Sequence, residues 1–224
     1  MVDEQLAARL EQVRADIADA ARAAGRDAAE LTTIVVTKFH PASLIRDLVA
    51  LGVRDFGENR HQEAQAKAAE LHDLDLRWHF VGQLQTKKAR QVRRYADVIH
   101  SIDRDALVDA LAEGDRVQCF VQLNLTDDPA RGGVADAELE ALVERVLAAP
   151  AIDLLGVMAV APLDEDPRRA FARVRAASER VRSLAPNAAA ISAGMSHDFA
   201  EAIAEGATHL RIGSAITGNR PERL

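Results

Sequence analysis

LTTIVVTKFHPASLIRDLVALGVRDFGEN, residues 31–59, holds a strand, a helix and a second strand in immediate succession. Leu31 to Thr37 is an apolar, β-branched run suited to a pleated, buried strand. Pro41 suits the first turn of a helix over 41–51, because it has no N–H to leave unpaired and its φ is already helical, and Gly52 marks the stop. Val53 to Gly57 is the second run. Working outward, runs at 31–38, 53–57, 77–82, 97–102, 116–124, 152–160, 188–193 and 207–213 follow a first helix that ends near Gly25. Between them lie Ala-, Leu-, Arg- and Glu-rich segments of helical spacing, at 41–51, 59–71, 86–95, 136–149 and 167–184, and Gly114 and Pro167 are further helix punctuation. Eight strands alternating with helices predict an α/β fold, a single (β/α)8 TIM-type barrel with an extra N-terminal helix, as one domain over 1–224. A doubly wound open sheet has the same periodicity and is the alternative. No Pro- or Ser-rich linker divides the chain.

An apolar fraction of 48% supplies a substantial core, while a net charge of −7 and a pI near 5.5 argue against a chain built to coat nucleic acid or anionic membrane. The single cysteine, Cys119, lies in the apolar stretch 117–125 and is expected to be a buried thiol, with no internal disulfide and no cysteine metal cluster. Histidines 61, 72, 79, 100, 197 and 209 have no metal-ligand spacing, so no metal is expected. His79, between Trp78 and Phe80, is expected to be a hydrogen-bonded barrel residue. The N-terminus is acidic and amphipathic throughout, unlike a signal peptide, and no long apolar stretch follows, which points to a cytoplasmic protein.

In a barrel, chemistry belongs at the C-terminal ends of the strands. Lys38 ends the first run, Gly57-Glu58-Asn59 the second, Gly82-Gln83 the third, Asn124 the fifth, Gly194-Met195-Ser196 the seventh and Arg211-Ile212-Gly213-Ser214 the eighth. The chain uses four lysines against 24 arginines. A lysine kept at a strand tip suggests an amine that can lose its proton, which a partly desolvated lysine can do and an arginine cannot. An ordinary strand-end lysine reaching to water is the other reading. Gly213-Ser214, opening a final helix, offers N–H groups and a hydroxyl to an anion in the usual phosphate position of barrels. A phosphate site facing a lysine describes a phosphorylated carbonyl ligand.

The segments VTKFHP (36–41), FGENR (56–60), RWHFVGQLQTKK (77–88), GVMAV (156–160), SAGMSHD (192–198) and RIGSAITG (211–218) together resemble the pyridoxal phosphate homeostasis proteins, also called YggS-like or proline-synthetase co-transcribed homologues. The resemblance runs in order over nearly the whole chain. It implies a barrel of the alanine racemase N-terminal type that carries pyridoxal 5′-phosphate (PLP) as a Schiff base on Lys38 and hands it on. Ser196, Gly213 and Ser214 would hold the phosphate, Arg211 would lie by the pyridine nitrogen or the phosphate edge, and Asn59 would line the pocket. Phe39-His40, Arg60 and His197 depart from the usual pattern at the pocket mouth. An arginine at the pyridine nitrogen disfavours its protonation and weakens the ring as an electron sink. The resemblance therefore implies a carrier or regulator of PLP and no enzyme, with PLP and acceptor apo-PLP enzymes as partners; a monomer is expected, although the sequence itself does not say whether the chain dimerises.

Three other functions stay open. An amino-acid racemase needs a second acid/base, supplied in alanine racemase by a tyrosine of a second domain; here the single tyrosine, Tyr95, precedes the fourth strand and is expected near the far end of the barrel. A PLP-free Schiff-base aldolase would also use a lysine and a phosphate site. A pure interaction protein would use the basic segment Lys87, Lys88, Arg90, Arg93 and Arg94, which is more simply a solvated helix face because no aromatic platform accompanies it. The loop Asp127 to Gly133 is expected to be a flexible top-face loop, with a lid role as one reading.

Overall fold

Each of the eight runs forms a strand, trimmed to the residues that pair: β1 (Thr32–Val36), β2 (Asp55–Glu58), β3 (Arg77–Phe80), β4 (Val98–Ile102), β5 (Val117–Gln122), β6 (Ile152–Met158), β7 (Ala190–Ser192) and β8 (His209–Ile212). The computed structural model describes residues 3–126 and 128–219. All neighbouring strands are parallel, and Val35 of β1 is in register with Phe56 of β2 on one side and Ile212 of β8 on the other. The sheet thereby closes into a barrel and the open-sheet alternative is excluded. Closure removes both exposed edges.

The helices are α1 (Glu4–Ala23), α2 (Ala42–Ala50), α3 (His61–Glu70), α4 (Ala89–Val92), α5 (Asp105–Leu111), α6 (Leu139–Leu147), α7 (Pro167–Leu184), α8 (Phe199–Ala204) and α9 (Ser214–Thr217). The extra helix α1 is capped by Asp3, whose Oδ1 accepts the Gln5 N–H at 2.8 Å. It buries Leu6, Leu10, Val13, Ile17 and Ala21, a stripe at helical spacing. Arg9 Nε donates to the Ile216 carbonyl at 2.8 Å, tying this helix to α9.

Two expectations need correction. Pro41 is the N-cap of α2 and not its first helical residue. The segment 86–95 is no continuous helix: Thr86–Lys88 is a 3-10 turn, α4 stops at Val92, and Arg93 to Tyr95 fold beneath the barrel.

Strand alternation sorts the residues into two cores. Val35, Phe56, Trp78, Ile99, Val121 and Val157 face the helices, and Cys119 is buried among them, as expected. Val98, Phe120 and Met158 form a small apolar cluster of their own. Ile34 and Val36 crowd Gly57, where an added Cβ would lie 3.1 Å from a methyl of each. Lys38, two residues along from Val36, continues the same side.

The loops above β2 and β3 are locked together at Gly82, where a Cβ would fall 2.2 Å from the Asn59 carbonyl oxygen and 2.7 Å from its Cα. Only a glycine permits that approach. Gly82→Ala is expected to cost about 1–3 kcal/mol through overpacking. Urea denaturation measures this; a midpoint equal to wild type would mean that the two loops are not held in contact.

Candidate functional site

One cavity of about 410 Å³ at the C-terminal ends of the strands is lined by Lys38, Asn59, Ser196, Arg211, Gly213 and Ser214, together with Val36, Val81, Gly82, Val160, Met195 and His197. All six candidate residues named from the sequence thus share one cavity. They come from the ends of β1, β2, β7 and β8, which lie side by side only because the barrel closes.

Lys38 sits in the loop between β1 and α2, and its side chain is exposed, which corrects the expectation of an amine already partly desolvated by the protein. Any desolvation has to come with a molecule that fills the cavity. The turn beneath it is strained: Phe39 has φ +70°, a left-handed conformation unusual for a residue with a Cβ. A buried charge cluster holds that turn. Lys67 on α3 donates to the Thr37 carbonyl at 2.8 Å, to Glu58 at 2.6 Å and to Glu63 at 2.8 Å, and Glu63 in turn accepts the Phe39 N–H. Burial pushes the Glu58 carboxyl up, opposed by the charge and hydrogen bond of Lys67. Glu63 and Lys67 were not picked out from the sequence; their i, i+4 spacing on a helix facing Glu58 was the available signal.

The loops after β7 and β8 bring a hydroxyl and backbone N–H groups together in the same cavity. The Ser196 hydroxyl lies 3.4 Å from the Ala215 N–H, so the loop after β7 meets the first turn of α9 beside Gly213 and Ser214. Gly194 makes this loop possible, with φ +89° and the Cβ of Ala202 only 2.8 Å from where its own Cβ would be. Asp198 accepts the Met195 N–H at 2.6 Å and pins the same turn. The Asn59 side-chain oxygen is buried without a partner in the protein, a group that a bound molecule would satisfy.

Arg211 is buried, and its Nη1 donates to Ser192 Oγ at 2.7 Å and its Nη2 to the Ala159 carbonyl at 2.8 Å. Ser192 is 2.9 Å from His100 Nδ1, His100 Nε2 is 3.0 Å from His79 Nδ1, and His79 Nε2 is 2.9 Å from Asp55. With Arg211 donating and Asp55 accepting, Ser192, His100 and His79 can each donate towards Asp55, an order in which both histidines are neutral. Burial lowers the proton affinity of His79 and His100 and agrees with that assignment. Desolvation also lowers Arg211 to about 10, which leaves it cationic at neutral pH. His79 is thus the hydrogen-bonded interior residue expected, whereas Asp55, His100 and Ser192 were not picked out. Polar residues at alternate positions of otherwise apolar strands were their signal.

Tyr95 lines a cavity formed by residues at the starts of β2 to β5, its hydroxyl reaches back to His61 Nδ1 at the start of α3, 3.3 Å away, and it does not line the upper cavity. None of the described loop residues 128–133 lines the upper cavity, and Asp127 falls outside the described residues. The loop is tethered by the Val134 N–H to the Gln122 carbonyl at 2.8 Å and by the Gly133 N–H to Asp103 at 3.2 Å, which does not suit a lid. Among the described residues no helix is long and apolar enough to cross a membrane.

The buried histidines set a pH dependence. Burial holds His209 down at about 4, with the charge of Arg77 adding to the effect. Unfolded, it takes up a proton near pH 6.5, so stability is fully present above that value and is lost as pH falls towards 4. The loss from His209 alone should reach roughly 2 kcal/mol at pH 5. The raised Glu58 works in the opposite sense and offsets part of it. Urea midpoints at pH 7 and pH 5 test this: a lower midpoint at pH 5, with less of a drop in His209→Asn, is expected, and an unchanged midpoint would contradict the neutral assignment.

Comparison with known proteins agrees with this geometry. The sequence profile of the alanine racemase N-terminal domain matches residues 9–221. The pyridoxal phosphate homeostasis protein of Mycobacterium tuberculosis H37Rv is 39% identical over 99% of this chain and 95% of its own length. That of Pseudomonas aeruginosa is 40% identical over 96% of both chains. The structure of PipY from Synechococcus elongatus PCC7942, solved with PLP bound, superposes with a TM-score of 0.83 at 36% identity, covering 95% of this chain and all of that one. Matches at 39–40% identity over nearly the whole of both chains, together with the family profile over residues 9–221, make the chain a member of the pyridoxal phosphate homeostasis protein family, built on an alanine racemase N-terminal-type barrel.

Proposed function

We propose that this chain is a PLP-binding protein of intracellular PLP homeostasis, one barrel domain over 1–224, that holds PLP through Lys38 and releases it to acceptor apo-enzymes. The observation that carries the reading is the shared cavity: an amine, a buried guanidinium and an anion-binding turn converge on one space of about 410 Å³. Bound there, PLP supplies an aldehyde that condenses reversibly with amines. Lys38 supplies the amine, and its exposed position leaves it open to exchange with an incoming amine. Ser196 and the backbone at Gly213 and Ser214 hold the phosphate. Asn59 lines the cavity beside Lys38.

Arg211 sets what the site does not do. It is fixed by Ser192 and Ala159 and stays charged, so it faces a pyridine nitrogen as a donor and disfavours protonation there. The electron-sink effect on which racemisation, decarboxylation and transamination depend is thereby weakened. Racemisation further needs a second group on the opposite face, and Tyr95 does not line the cavity that holds Lys38.

Lys38→Ala should abolish both the visible absorbance of the loaded protein and the adduct fixed by borohydride; an adduct persisting on another lysine would sink the assignment. Ser196→Ala removes one charge-assisted hydrogen bond and should weaken PLP retention by roughly ten- to a hundredfold. Retention equal to wild type would put the phosphate anchor elsewhere. Loaded protein incubated with L-alanine in deuterated water should show Cα exchange no faster than free PLP. Exchange well above that level and dependent on Lys38 would restore the enzyme reading.

A further inference from the structure

The cavity at the opposite end of the barrel is the larger of the two, about 630 Å³, and its lining includes Arg54, Arg77, Arg93, Arg94 and Arg116. Three carboxylates, Asp55, Asp75 and Asp97, share it, and with Arg116 paired to Asp153 the lining keeps a local charge of +1 (four minus three) in a chain whose net charge is −7. The acids do not neutralise the arginines one by one. Asp55 accepts from His79 at 2.9 Å, and Asp97 accepts the Trp78 N–H at 2.7 Å. Arg116 pairs outward with Asp153.

The remaining four arginines form no ion pair with any described carboxylate, whereas Arg46, Arg145, Arg173 and Arg180 elsewhere all do. Arg54 is bonded to the carbonyls of Val49 and Val53, and Arg77 to the amide oxygen of Gln118. These neutral oxygens fix the guanidinium groups without cancelling their charge. Arg93 is the clearest case. Its Nη1 donates to the carbonyls of Leu111 and Glu113, and the plane packs 3.3 Å from where a Cβ on Gly114 would stand. Its Nε and Nη2 are enclosed with no acceptor among the described residues. Those two nitrogens form the side-on fork that grips a phosphate or carboxylate with two parallel hydrogen bonds, and an anion in the cavity reaches them by a small shift of the Arg93 side chain off Gly114. A buried donor pair left unmade is costly, so a site of this kind gains by taking an anion.

We propose that this lower cavity is a second ligand site, gripped by the Arg93 fork with Arg77 and Arg94 beside it, for the phosphate group of a small molecule. It accounts for Arg93 and Arg94, which the sequence presents as part of a solvated basic helix and the fold turns under the barrel. The site is distinct from the upper cavity, which no residue of this lining shares.

Calorimetric titration of the PLP-saturated full chain with inorganic phosphate, and separately with glucose 6-phosphate, tests the assignment with the upper site blocked. Saturable one-to-one binding of either probe is expected, at least about tenfold weaker in Arg93→Gln and in Arg94→Gln, with PLP content unchanged. Tighter binding of the ester than of the ion would identify a phosphorylated metabolite, and equal binding free phosphate; both support the site. Arg94 is exposed, so its variant remains informative should Arg93→Gln fail to fold. Protection of the amides at 93–97 and 116–118 from hydrogen exchange on adding either probe locates the site without any substitution. The dependence on Arg93 and Arg94 reports on the lower cavity whether or not PLP is retained above. Absence of saturable binding at about 10 mM probe, equal binding in both variants, or preferential binding of oligouridylate lost in Lys87→Gln and Lys88→Gln would overturn the proposal.

Discussion

A guanidinium buried inside a β-barrel must find an acceptor for its donors, and the way Arg211 does so organises the interior of this protein. Two of its nitrogens end on Ser192 Oγ and the Ala159 carbonyl. From Ser192 the hydrogen bonds run through His100 and His79 to Asp55. With both histidines neutral, as their burial favours, one order of donors runs from Arg211 to Asp55. A cation and an anion are thus joined across the barrel by neutral groups, each satisfied, which is the condition under which a buried polar network rigidifies a structure. The side chain that faces the upper cavity is held in a single pose by residues that never reach it.

The two ends of the barrel are built by different means. At the C-terminal end, the site depends on backbone that only particular residues allow: a left-handed Phe39 clamped by Glu63 and Lys67, and the close approach of Gly82 to Asn59. Strain of this kind persists when its surroundings over-determine it, and the Lys67 cluster is that surrounding for Lys38. At the N-terminal end the loops are short and the charge is carried by side chains, with arginines anchored on carbonyls. Asp55 belongs to both arrangements, since it lines the lower cavity and terminates the chain from Arg211. The family's cofactor end and the arginine-rich end are therefore in contact through one hydrogen-bonded path.

Much of this was legible in the residues. The alternation that begins at Leu31 marked all eight strands, and the strand-end positions of Lys38, Asn59, Ser196, Arg211, Gly213 and Ser214 placed them at one end of a barrel, where they line one cavity. Local errors arose where local rules are weak. Pro41 suits an N-cap as well as a first turn, and the basic run 86–95 has helical composition although tertiary packing stops its helix at Val92. The exposure of Lys38 could not be inferred from a strand-tip position, because solvent access depends on the loops from other strands that surround it.

By itself the sequence determined the periodicities, hence the element types and the end of each strand at which the unusual polar residues stand. These properties depend on residues within a few positions of one another. Only the tertiary structure decided that Ser192 meets His100, that Lys67 reaches Thr37, and that two nitrogens of Arg93 are enclosed without an acceptor under a barrel whose other mouth carries Lys38. Those contacts join residues far apart in the chain, and their partners are selected when β1 pairs with β8 and the closed sheet fixes which alternate side chains share its interior.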